Sequence, residues 1–140
     1  MTAPGHEPAE LSDGGEQLFR HVHPSWVRDG QPTSQAFKPT AKDDGRLSVS
    51  RGSLGTAEQA FRLQTERLRL TVEGTWAVTV AEVAAEPVPL YAFGDPVEEP
   101  GPDPAHAYVD FSAQSRKQVE VKARLLLVAA RTRGRLDPSE

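Results

Sequence analysis

The chain contains no cysteine. That excludes a disulfide framework and a thiolate metal site, and it fits a reducing, cytoplasmic setting. There is no surplus of positive charge either. Sixteen Lys and Arg against twenty Asp and Glu give a formal charge of −4, and the isoelectric point is near 5.6. This balance argues against general nucleic-acid binding. Long apolar runs are missing: the longest, LLLVAA at 125–130, is too short to cross a bilayer. The opening residues MTAPGHEPAELSDGGE lack a basic stretch followed by an apolar one, so no secretory leader is expected. No Gly-x-Ser-x-Gly elbow, phosphate loop or dinucleotide glycine fingerprint occurs.

What is present fits one domain. The 140 residues are 37% hydrophobic, with 12 Pro and 11 Gly, and the mean hydropathy is −0.51. A chain of this length buries a real core, but much of it must be loop. Residues 1–14 are rich in Gly, Pro, Ala and acid and predict a disordered tail. QLFRHVH at 17–23 alternates, with Leu18, Arg20 and Val22 on one strand face and Phe19, His21 and His23 on the other. Pro24 ends it, and turns are expected at Asp29-Gly30 and Asp44-Gly45. RLSVS at 46–50 predicts a strand with Leu47 and Val49 inward and Ser48 and Ser50 opposite.

Residues 56–70 predict a helix capped by Thr56 and Gln59, with a narrow stripe of Ala57, Ala60, Phe61 and Leu68. TWAVTVAEV at 75–83 and VPLYAF at 88–93 predict strands. The loop 94–105 repeats Pro too often for regular structure; its acids Asp95, Glu98, Glu99 and Asp103 read as solvated. HAYVDF at 106–111 sets His106, Tyr108 and Asp110 against Ala107, Val109 and Phe111. SRKQVEVKARLLLVAARTRG at 115–134 predicts a long helix, capped by Ser115 and Gln118 and stopped by Gly134. Arg131 and Arg133 suit its negative end. The whole is an α+β domain over 15–136, with one small, mostly antiparallel or mixed sheet, two helices and a disordered end at 137–140.

Three of these strands carry reactive side chains on their polar faces: His21 with His23, Ser48 with Ser50, and His106 with Tyr108 and Asp110. If the strands are neighbours, these faces converge. A wet outer face of an antiparallel sheet is the plainer account of the same pattern. His21, His23 and His106 offer nitrogen ligands of zinc type. Ser48 or Ser50 with a His and Asp110 offers a hydrolase triad. The loop RGSLG ahead of the helix at 56 offers an N-terminus to an anion.

Two resemblances follow from these motifs. HPSWVRDGQPTSQAFKPTAKDDGRLSV with PAHAYVDFSAQSRKQ resembles a group of small uncharacterised bacterial proteins over most of 18–134. The Arg-His strand, the Ser-x-Ser strand and the Gly-Ser loop into a helix are similar to the core of ADP-ribosyltransferases. That likeness implies that Arg20 or His21 grips the NAD pyrophosphate, that Ser48 and Ser50 shape the nicotinamide pocket, and that Tyr108 stacks on the ring. The late strand departs from that family, since it carries His106 and Asp110 and no Glu. The leading expectation is an accessory protein that binds a partner protein, in a conflict or regulatory operon, without a cofactor. The Pro-rich acidic loop, the Trp26 region and the tail motivate it. The alternatives are an NAD-using, ADP-ribosyltransferase-like enzyme and a His-based metal hydrolase.

Overall fold

The computed structural model describes residues 8–40, 44–98 and 102–137. It is an α+β fold whose main sheet has six antiparallel strands, in the spatial order Ala9–Glu10, Tyr91–Gly94, His106–Asp110, Arg46–Arg51, Gln17–Val22 and Gly74–Thr79. In chain order these are β1 (Ala9–Glu10), β2 (Gln17–Val22), β5 (Arg46–Arg51), β6 (Gly74–Thr79), β7 (Tyr91–Gly94) and β8 (His106–Asp110). A small hairpin of β3 (Val27–Arg28) and β4 (Gln31–Pro32) stands apart. The helices are α1 (Ala57–Arg62), α2 (Val80–Ala84) and α3 (Arg116–Arg133).

The period-two patterns sort as physics requires. Leu18, Val22, Leu47, Val49, Trp76, Val78, Ala92, Ala107 and Val109 all join one apolar core. The long helix α3 adds Ala123, Leu126 and Ala130 to that core, with Val119 and Leu127 partly buried against it. The predicted cap is in place: the Ser115 hydroxyl accepts the Gln118 N–H, and the Gln118 side chain accepts the Ser115 N–H. Gly134 ends α3 at φ 88°. The two Asp-Gly turns form with both residues at positive φ, Asp29 and Gly30 at 53° and 76°, Asp44 and Gly45 at 52° and 76°. The first closes the β3–β4 hairpin, where two positive-φ residues match the strand twist.

Several expectations are corrected. The helix expected over 56–70 stops early. α1 ends at Arg62, a π-helical turn occupies Leu63–Arg67, and Arg69 turns left-handed at φ 55°. Its narrow apolar stripe buries no residue of α1, so nothing holds the helix straight over a longer course. The strand expected over 75–83 ends at Thr79. There Thr79 and Glu82 form a reciprocal capping box and start the unforeseen α2. The last Arg residues of α3 do more than face a helix dipole. Arg131 donates twice to the Pro32 carbonyl, and Arg133 bridges the Ala77 carbonyl and both Glu82 oxygens.

The tail is shorter than expected. Residues 1–7 lie outside the described residues, but β1 pairs with β7, Ala9 opposite Gly94 and Glu10 opposite Phe93. Leu11 is buried in the core. At the other end, Asp137 bridges Thr75, and the expected disorder at 138–140 lies outside the described residues.

Candidate functional site

The polar alternates of the sheet meet because their strands are neighbours. In the register of β6, β2, β5 and β8, Thr75 lies opposite His21, Phe19 opposite Ser50, Ser50 opposite His106, and Ser48 opposite Tyr108. Side chains opposite each other in an antiparallel pair share a face. One sheet face therefore collects Thr75, His21, Ser48, Ser50, His106 and Tyr108, while the core fills the other.

A cleft of about 650 Å³ opens there. Six of the seven expected site residues border it: Arg20, His21, His23, Ser48, Ser50 and His106. Trp26, Thr40, Gln64 and Asp103 join them, and Leu68, Leu70, Val72 and Val97 add apolar lining. The irregular chain after α1 thus has a use. The segment that fails to continue as helix supplies one apolar side of the cleft.

His21 is held from both sides. Its Nδ1 lies 2.8 Å from the Thr75 hydroxyl, and its Nε2 lies 2.9 Å from the Ser50 hydroxyl. Burial, helped by the charge of neighbouring Arg20, pushes its pKa down to about 3. The ring is neutral at physiological pH, with one nitrogen donating and the other accepting. A base this weak takes little of a serine proton, so His21 is a fixed, neutral part of the cleft wall that orients the Ser50 hydroxyl.

His106 forms a second array. Its Nδ1 contacts the Asp95 backbone carbonyl at 2.9 Å and the Asp95 carboxylate at 3.8 Å. Its Nε2 lies 3.5 Å from the Ser48 hydroxyl. His23, by contrast, is exposed and local. It caps the 3₁₀ turn Pro24–Trp26, accepting the Ser25 N–H at 3.0 Å, and its ring meets Trp26 edge-on at 6.0 Å. His-Pro-Ser-Trp is thus a turn whose first residue borders the cleft.

Two roles implied by the ADP-ribosyltransferase likeness meet other partners. Arg20 donates from Nε to the Ala36 carbonyl at 2.7 Å and from Nη1 to the Ser48 carbonyl at 2.9 Å. Its guanidinium also lies over the Trp26 ring. That geometry ties the strand to the Ser34–Phe37 turn. Tyr108 is buried between Phe93, stacked at 5.5 Å, and Arg46 at 4.6 Å. It does not border the cleft.

The triad and metal arrangements also find other geometry. Asp110 is two alternate positions from His106, roughly 13 Å along the strand, and it accepts the Ser112 N–H. Among the described residues, no three His, Asp or Glu converge to hold a metal ion. The N-terminus of α1 is closed by Thr56 and Gln59, and Ser53 of the preceding loop donates to Glu16, itself paired with Arg51.

One cleft residue was misread from sequence. Asp103 is only 4% exposed, although its loop reads as solvated acid. The loop is pinned by a bridge between Val97 and Asp103, with backbone bonds of 3.0 and 2.7 Å.

Comparison with family models, curated proteins and solved structures finds no significant match to this chain. Among the described residues, no helix is long and apolar enough to cross a membrane.

Proposed function

We propose that the chain is a small-molecule-binding protein whose cleft takes a flat, neutral ring with a hydrogen-bonding edge. The nicotinamide end of NAD is the ligand class in view. The observation that carries this reading is the His21–Ser50 pair on the cleft wall, held from behind by the buried Thr75 hydroxyl. Burying three polar side chains in a fixed line costs free energy unless each is satisfied. Such a row beside apolar walls is what an uncharged ring needs for orientation. The cleft volume falls within the roughly 300–1,000 Å³ common for ligand sites. Arg20 is committed to backbone carbonyls, which favours the ring end of NAD over its pyrophosphate as the part recognised.

Thermal melting with saturating NAD, nicotinamide and ADP-ribose tests it. NAD and nicotinamide are expected to raise the melting temperature, since a ligand at about 100 times its Kd adds about 2.7 kcal/mol. ADP-ribose, which lacks the ring, is expected to do little. No shift with either ring-bearing ligand overturns the proposal.

A second reading, binding to a partner protein, draws on Leu125 and Val128. They lie three residues apart on α3 and remain 43% and 62% exposed. Adjacent exposed apolar side chains are a feature of docking surfaces. Co-purification with a co-encoded protein, abolished by Val128→Asp, is the expected result, and an unaffected V128D complex removes this surface.

A further inference from the structure

Among the described residues, one carboxyl oxygen of Asp103 has no hydrogen-bond partner. The residue borders the cleft and is 4% exposed, yet its Oδ1 is buried without a hydrogen-bond partner. Buried carboxyl oxygens are ordinarily satisfied, and an orphan in a native fold calls for a reason. Its position is built. The bridge to Val97 fixes its backbone on both sides, the His106 N–H donates to its carbonyl at 3.2 Å, and Val97 and His106 border the same cleft.

We propose that Asp103 is the specificity residue of the cleft, accepting a hydrogen bond from a ligand N–H and so selecting a neutral carboxamide over the corresponding carboxylic acid. This rests on the reading of the cleft as a ring-binding site and extends it to the substituent on the ring. Oδ1 itself is closed to solvent, so a turn of the carboxyl towards the cleft that Asp103 borders brings it to a ligand N–H and satisfies the orphan acceptor. A ligand carboxylate in the same place sets two like charges together in a poorly solvated site. Burial raises the Asp103 pKa, with the neighbouring His106 and the Ala105 N–H acting against that rise. An unmet buried carboxylate is costly, and a donating ligand lowers that cost.

The test is a comparison of nicotinamide with nicotinate, and of benzamide with benzoate, titrated calorimetrically onto the full chain. Wild type, Asp103→Asn and Asp103→Ala are measured at neutral pH, with NAD run in parallel. Wild type is expected to prefer each amide by about tenfold or more, the size of one charge-assisted hydrogen bond. D103N exchanges one acceptor for a donor, and its preference is expected to vanish or reverse. D103A is expected to lose the preference without reversing it, which separates the hydrogen bond from folding effects. Equal wild-type affinity for amide and acid overturns the proposal while leaving ring binding intact. So does an unchanged ratio in both variants, and so does a preference for the acid, which would mark Asp103 as a protonated donor. Failure of every ligand, NAD included, overturns the ring-binding reading and this inference together.

Discussion

The imidazole of His21 and the hydroxyl of Ser50 lie 2.9 Å apart across the boundary of two strands, although Ser50 stands opposite Phe19 in the register. The contact is diagonal. It forms because the His21 side chain reaches one pair along the ladder, where diagonal neighbours remain within range of long side chains. Thr75, directly opposite His21, takes the other ring nitrogen. One imidazole thereby links three strands on the face away from the core.

Removing one end of this row leaves a buried nitrogen unpaired. Ser50→Ala is expected to destabilise the fold by about 1–3 kcal/mol, the usual cost of an orphaned buried polar group. Urea unfolding at pH 7 measures it. A loss below about 0.5 kcal/mol, the range of ordinary surface changes, would show that water replaces the hydroxyl.

The same row sets an acid limit. The His21 pKa is about 3 in the folded chain against 6.5 for an ordinary histidine. Between those values the unfolded chain binds more protons, so stability falls as pH drops from about 6.5 towards 3. At about 1.4 kcal/mol per unit, the loss attributable to His21 is as much as about 4–5 kcal/mol. Arg20 adds to the effect, and His106 stands across Ser50 on the same face. His21→Gln should flatten the curve between pH 6.5 and 4 relative to wild type. Parallel curves for the two proteins would show that the ring is not held neutral.

Much of this arrangement was legible in the sequence, for a definite reason. Alternation fixes faces, and the faces of His21, Ser50 and His106 were readable from QLFRHVH, RLSVS and HAYVD. Alternation says nothing of strand order, so their meeting depended on β5 lying between β2 and β8. Caps were readable too, as at Thr56 and Ser115, and the box at Thr79 and Glu82 was equally present but hidden inside an apolar run. The burial of Asp103 was not readable. It arises from the loop folding back onto Val97, a tertiary event that composition masks. Tyr108 shows the converse, since alternation placed it on the site face but not beside Phe93 and Arg46, which cover it.

The first described residues are structural despite their tail-like composition. Leu11 is 8% exposed, and its N–H donates to the Ala92 carbonyl at 2.9 Å. Leu11→Ala should therefore cost about 2–3 kcal/mol, towards the lower end for a buried leucine because it sits at the margin of the core. The shift in urea midpoint at constant slope measures this. An unchanged midpoint would return this segment to the tail.

Tight backbone approach at the second Asp-Gly turn gives a further test. A side chain at Gly45 would meet the Ser112 Cα at 2.8 Å, and the residue has φ 76°. Gly45→Ala thus combines a steric clash with a left-handed backbone, and a loss of about 1–3 kcal/mol is expected. Gly30 has the same φ with open space around it, so Gly30→Ala should cost less. Equal losses in the two variants would assign the whole cost to backbone conformation and none to Ser112.

Lys122 is the one lysine enclosed by the core side of the fold among the described residues, at 1% exposure. Its ammonium donates to the carbonyls of Glu82 and Ala85 at 2.8 and 3.0 Å, closing the C-terminal end of α2, where helical carbonyls lack partners. Burial lowers its pKa to about 8 from 10.5, with the Glu82 and Glu86 charges opposing the shift. The folded chain therefore releases this proton at lower pH than the unfolded one. Between about pH 8 and 10.5 the unfolded state binds more protons, so this group's contribution to stability rises with pH across that window. At neutral pH both states are charged and the burial cost is fully present. Lys122→Met removes the charge but leaves the two carbonyls without their donor. The difference in unfolding free energy, wild type minus K122M, should increase by about 2–3 kcal/mol from pH 7.5 to 10, read from urea titrations at each pH. A difference independent of pH would mean that the ammonium keeps its ordinary proton affinity and reaches water.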